Sequence, residues 1–137
     1  MQSYKIDELQ IGQSASFSKT VSESDVYTYA GITGDFNPLH IDAEYAKTTM
    51  FGERIAHGMF SAGLISTVLG GQLPGPGAIY AGQTLKFLAP VRIGDTVTAT
   101  AEVISIEPEK GRIKLKTTCS NQEGKVVLDG EATIFLK

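Results

Sequence analysis

The chain has 137 residues, of which 42% are hydrophobic and 20% charged, and it carries a net charge of −3. This length and balance suit one domain, residues 1–137, with a core large enough to need neither disulfides nor a structural metal. The absence of a basic surplus gives no footprint for a nucleic-acid partner. The lone Cys119 cannot form an internal disulfide, and no apolar run approaches the roughly 20 residues of a membrane helix. The opening Met1-Gln-Ser-Tyr-Lys-Ile-Asp-Glu8 is polar and acidic, unlike a secretory signal. The expectation is a cytoplasmic protein without a membrane partner.

In chain order, Ala15 to Val21 alternates as a first strand. Ser22 or Ser24 then caps a helix, with Asp25 three residues after Ser22 as in a capping box. Val26, Tyr29, Ala30 and Ile32 follow at helical spacing, and Gly31 and Gly34 end the run. Gly34 to Asp42 reads as an ordered loop, because Pro38 disfavours a helical conformation at Asn37. Asp42 caps a short helix, Ala43 to Lys47. From Gly58 to Gly71 there is no charged residue. A helix there has no polar face, so it is expected to be buried all round. Four strand runs follow: Ile79–Ala89, Thr96–Glu107, Arg112–Asn121 and Val126–Leu136. Short turns separate them, which predicts an antiparallel sheet. A change of apolar parity near Val103 predicts a bulge. Cys119 shares parity with Ile113 and Leu115 and is expected to be buried. The fold class is α+β: a bent antiparallel sheet wrapped around one long central helix.

The only two histidines, His40 and His57, fall between the first helix and the central one. Asp35 precedes His40 by five residues, across Asn37-Pro38. A carboxylate and an imidazole held by a rigid loop can activate one water. The same spacing also suits Asp35 bonding local backbone and His40 sitting as a satisfied loop histidine. Asn37 is read as shaping the loop. His57-Gly58 opens the central helix, where free N–H groups and a partial positive charge could hold a carbonyl oxygen. His57 could equally fill space or cap the helix. Two histidines 17 residues apart, with no cysteine beside either, match no common zinc spacing, so no metal is expected.

Asp35-Phe-Asn-Pro-Leu-His40-Ile-Asp42 and Ile55-Ala-His-Gly-Met59 resemble the MaoC-like (R)-specific enoyl-CoA hydratases. The likeness continues through Leu64 to Gly70, Leu73-Pro-Gly75, Ile79 to Phe87 and Pro90 to Val97. The resemblance implies a single hotdog fold and a homodimer. It implies reversible hydration of trans-2-enoyl-CoA to (R)-3-hydroxyacyl-CoA with no cofactor, coenzyme A being part of the substrate. By the same resemblance Asp35 and His40 hold the attacking water and the Gly58 N–H binds the thioester oxygen. Ser66 lies near the catalytic pair, and Leu69 looks into the acyl pocket. Two other readings use the same residues: a 3-hydroxyacyl-acyl-carrier-protein dehydratase and a non-catalytic acyl-CoA-binding module. A hotdog thioesterase is disfavoured, since Gly58–Gly71 carries no carboxylate. Chain-length preference, the pathway (polyhydroxyalkanoate precursor supply or fatty acid metabolism) and the choice among Lys47, Arg54, Lys86 and Arg92 for the CoA phosphates stay open.

Overall fold

The computed structural model describes residues 1–137. Alternating runs become strands because successive side chains point to opposite faces, so each run offers one apolar face. The strands are β1 (Ser14–Thr20), β2 (Ile79–Gln83), β3 (Lys86–Phe87), β4 (Thr96–Glu107), β5 (Arg112–Ser120) and β6 (Val126–Phe135). They form one antiparallel sheet in the order β1-β4-β5-β6-β2, with β3 also on β6. On the inner face Val97, Ala99, Ala101 and Val103 of β4 meet Ile113, Leu115 and Cys119 of β5, all fully buried. Burial pushes the Cys119 thiol up to about 12, which leaves it an inert part of the core.

The bulge falls where parity changes. Val103 pairs with Leu115 and Ser105 with Lys114, so Ile104 is the extra residue, and Ile106 regains the inner face opposite Ile113. The run Ile79–Ala89 is not one strand. It divides into β2 and β3, with a register slip between Tyr80 and Gly82. The cause lies on β6. The chain crosses so close over Gly130 that a Cβ there would stand 1.9 Å from the Thr84 carbonyl oxygen. Thr84 N–H donates to the Glu131 carbonyl at that crossing.

Helix α1 (Glu23–Thr33) starts on the predicted capping box. Ser22 Oγ accepts from Asp25 N–H at 3.0 Å, and Ser22 N–H donates to the Asp25 carboxylate at 2.9 Å. Gly34, at φ +81°, ends the helix in the left-handed region that glycine adopts without strain. Val26 and Ala30 are buried, whereas Ile32 is 79% exposed. Two residues past Ala30 it stands about 200° round the helix, away from the sheet. Gly31 lies inside the helix and does not end it. The expected loop at Pro38 contains one helical turn, α2 (Pro38–Ile41). Asn37, at φ −52° and ψ 124°, stays out of the helical region that a following proline disfavours, and Pro38 takes the first helical position, where its missing N–H costs nothing. In α3 (Ala43–Lys47), Asp42 Oδ1 accepts from the N–H groups of Glu44 and Tyr45.

The central helix α4 (Gly58–Gly71) packs against β1, β4, β5 and β6. Ser61, Leu64, Ile65, Val68 and Leu69 are buried. The expectation of burial on every face fails: Met59, Gly63, Ser66, Thr67 and Gly70 are exposed on the side the sheet does not cover. Apart from Met59, that side holds glycines and hydroxyls, which have little apolar surface to hide. No helix is long and apolar enough to cross a membrane.

Candidate active site

The α1–α2 connection and the start of α4 meet at one cavity. Asp35 follows the left-handed Gly34 and is pinned locally. Its N–H donates to Thr33 Oγ1 and its Oδ1 accepts from Asn37 N–H, both at 3.2 Å. Asn37 Oδ1 accepts from Leu39 N–H at 3.1 Å, which makes Asn37 the cap of α2. His40, 7% exposed, stands on α2 with Nδ1 2.7 Å from the Ile55 carbonyl oxygen. A carbonyl only accepts, so Nδ1 carries the proton and Nε2 keeps a lone pair. Burial holds His40 below the usual histidine range; the Ile55 bond and Asp35 pull the other way, and neighbouring His57 adds to the lowering.

The segment before α4 is fixed by an Ile55–Arg92 bridge and by Ala56 N–H donating to the Val91 carbonyl at 2.7 Å. His57 follows, 3% exposed, with Nε2 3.0 Å from the Asp35 carbonyl oxygen. Its ring stacks on His40 with centroids 3.9 Å apart. The first-turn N–H groups of Gly58 and Met59 have no intrahelical partner. Gly58 has no room for a side chain: a Cβ would stand 2.7 Å from the Phe87 ring.

The cavity these residues share has a volume of about 500 Å³. Asp35, His40, His57 and Gly58 line it, together with Phe51, Phe87, Leu88, Val127 and Leu128. Three of the five residues singled out in the sequence therefore come together: Asp35, His40 and Gly58. Ser66 and Leu69 do not line it. Ser66 is exposed on the open side of α4, and Leu69 is buried in the core. Sequence reasoning set His57-Gly58 as a candidate site but gave the His57 side chain no role beyond filling or capping, and it passed over Phe87 and Ser61, which also lines the cavity. For His57 a signal was present, since it is the only other histidine and directly precedes Gly58. Nothing in the sequence marks Phe87 or Ser61. Of the candidate phosphate cations, Lys47, Arg54 and Arg92 are paired with Glu44, Glu23 and Glu53 respectively, and Lys86 makes no ion pair.

Asp35, His40 and His57 offer ligand atoms within 4.8 Å of one another. A metal ion lies in the plane of each imidazole that binds it. Two stacked rings inclined by 30° aim their lone pairs along nearly parallel planes and not at one point. The arrangement suits proton transfer to and from a small polar molecule held between a carboxylate and an imidazole lone pair, beside donors for an oxyanion.

The MaoC like domain family matches residues 8–125. The chain is 58% identical to an (R)-specific enoyl-CoA hydratase of Rhodospirillum rubrum, over 95% of this chain and 90% of that protein. It is 41% identical to a mitochondrial 3-hydroxyacyl-[acyl-carrier-protein] dehydratase of Solanum lycopersicum, over 93% and 78% of the two chains. The solved R-hydratase PhaJ1 of Pseudomonas aeruginosa superposes with a TM-score of 0.91 at 48% identity, covering 96% of this chain and 84% of that one. The chain is thus a member of the MaoC-like dehydratase family, and its fold is the hotdog fold.

Proposed function

We propose that this protein is an (R)-specific enoyl-CoA hydratase, a hydro-lyase that adds water reversibly to trans-2-enoyl-CoA. The observation that carries the reading is the convergence of the Asp35 carboxylate, the free nitrogen of His40 and the start of α4 on one largely apolar cavity. The thioester carbonyl accepts from the Gly58 N–H, which stabilises the enolate formed at C2. A water held between Asp35 and His40 attacks C3 and gives up a proton to the pair. The pair returns a proton to C2 on the same face. The proton is exchanged within the Asp35/His40 pair.

The apolar lining excludes bulk water and strengthens each electrostatic contact. All the chemistry is proton transfer and charge stabilisation, which calls for no cofactor beyond the coenzyme A of the substrate. The reading carries with it one domain over residues 1–137, a cytoplasmic enzyme and a homodimer. By the family likeness Ser66 and Leu69 of the central helix belong to the substrate-binding set.

The test is loss of enoyl-thioester absorbance with crotonyl-CoA, with chiral analysis of the product. Wild type is expected to give the (R)-alcohol. Asp35→Asn and His40→Gln, each folded, are expected to lose about 100- to 10,000-fold in kcat, the usual contribution of a positioned acid or base. Bound but unreacted crotonyl-CoA with wild type would overturn the reading, and an enoyl-acyl-carrier-protein substrate would be tried next.

A further inference from the structure

His57 is a buried side chain to which the proposed mechanism gives no part. It occupies the N-cap of α4, where a short polar side chain normally accepts a first-turn N–H, yet it makes no such bond. Its Nε2–H instead donates to the main-chain carbonyl of Asp35, 22 residues earlier, at 3.0 Å. One ring contact is the stack on His40 at 3.9 Å and 30°. Another is Tyr29 of α1, tilted by 51° with centroids 4.6 Å apart. Its Nδ1 is buried and finds no partner within the protein. A residue that only filled this volume would be better apolar, because a buried unpaired nitrogen destabilises the fold.

We propose that His57 is a positioning residue that sets the Asp35/His40 pair at a fixed distance from the Gly58 N–H. The proposal rests on the hydratase reading. The thioester carbonyl carbon and the carbon that takes the water are two bonds apart, so the donor and the water-holding pair tolerate little relative movement. They stand on different segments, joined through α2, α3 and the largely exposed turn region Thr48–Arg54. Asp35 itself is exposed, and its own side-chain bonds are local. His57 spans this gap with a single residue: its side chain holds Asp35 and His40, and its own peptide bond leads directly to Gly58.

Two variants separate the parts of the ring. His57→Phe keeps a flat ring against His40 and loses the donor. His57→Gln keeps an amide N–H at similar reach and loses the ring. In each, kcat for crotonyl-CoA is measured beside the inhibition constant of butyryl-CoA, which lacks the reacting double bond. Amide hydrogen exchange over Gly34–Leu39 is followed independently of turnover. His57→Phe is expected to lose about 10- to 100-fold in kcat, the scale of a displacement of about 1 Å. Butyryl-CoA inhibition should stay within about threefold, and exchange in Gly34–Leu39 should accelerate. His57→Gln is expected to restore most of kcat and the slow exchange. Wild-type kcat and exchange in His57→Phe would overturn the proposal. So would a Gln variant no better than Phe, or parallel losses in kcat and inhibitor binding. If wild type fails to hydrate crotonyl-CoA while exchange responds as expected, the hydratase reading falls and the positioning role stands.

Discussion

Asp35 and His40 lie on either side of Pro38, and each is held by main-chain partners supplied within the same short stretch or from Ile55. This locality is why both were legible in the sequence, as was Gly58 at the entry to a charge-free helix. The two remaining choices depended on helix phase. Ser66 is eight residues beyond Gly58, which at 3.6 residues per turn puts it about 12 Å along the axis and about 80° round. That turn carries it to the open side of α4. Leu69 shares the phase of Gly58 but lies about 16 Å further along, where the core and not the cavity receives it. His57 was marked by its place before Gly58, but the role of its side chain was not legible because its partners, Asp35 and Tyr29, come from other elements.

The burial of His40 also fixes a dependence on pH. Its folded value lies below that of an unfolded chain, so the unfolded state binds the proton more readily. Stability from this residue is present above the ordinary histidine value of about 6.5 and is lost as pH falls through the lower, folded value. Urea unfolding at stepped pH is expected to show the wild type losing up to about 1.4 kcal/mol per pH unit below 6.5 relative to His40→Gln. Parallel curves for the two proteins would contradict it.

Among the elements, α1, α3 and β4 follow from local chemistry: a capping box, an aspartate cap, and a parity change that marks a bulge. The division of Ile79–Ala89 into β2 and β3 does not, because its cause sits on β6. Gly130 lets Thr84 cross at van der Waals distance, and no pattern within 79–89 reports that. The position makes a sharp prediction. In Gly130→Ala the new methyl meets a backbone carbonyl that has nowhere to move without breaking the Thr84–Glu131 bond. A loss of about 2 kcal/mol or more in chemical denaturation is expected, above the usual cost of overpacking at a forgiving site. A change within about 0.5 kcal/mol would show that β6 yields freely there.

For the whole molecule, the α+β architecture was legible because one charge-free helical run stands among alternating strands. What covers the open side of α4 was not, because a monomer's sequence pattern does not say whether the cover is intramolecular. The sheet ends in β1 and β2, and Ile79, Tyr80 and Phe87 near one end are exposed, as is Met59 at the start of α4. Unpaired edges and apolar side chains of this kind are met by a second copy in the proposed homodimer. Sedimentation at micromolar concentration is expected to give twice the 14.6 kDa of one chain. A single species at the mass of one chain would rule it out.

The Ile55 carbonyl has a consequence for the direction of proton traffic. With Nδ1 held at 2.7 Å, His40 has only one nitrogen open to the cavity. A proton that enters at Nε2 must leave at Nε2, so on the proposed mechanism the imidazole is a dead-end store and not a relay to solvent. Hydration and its reverse therefore share one doorway on the imidazole.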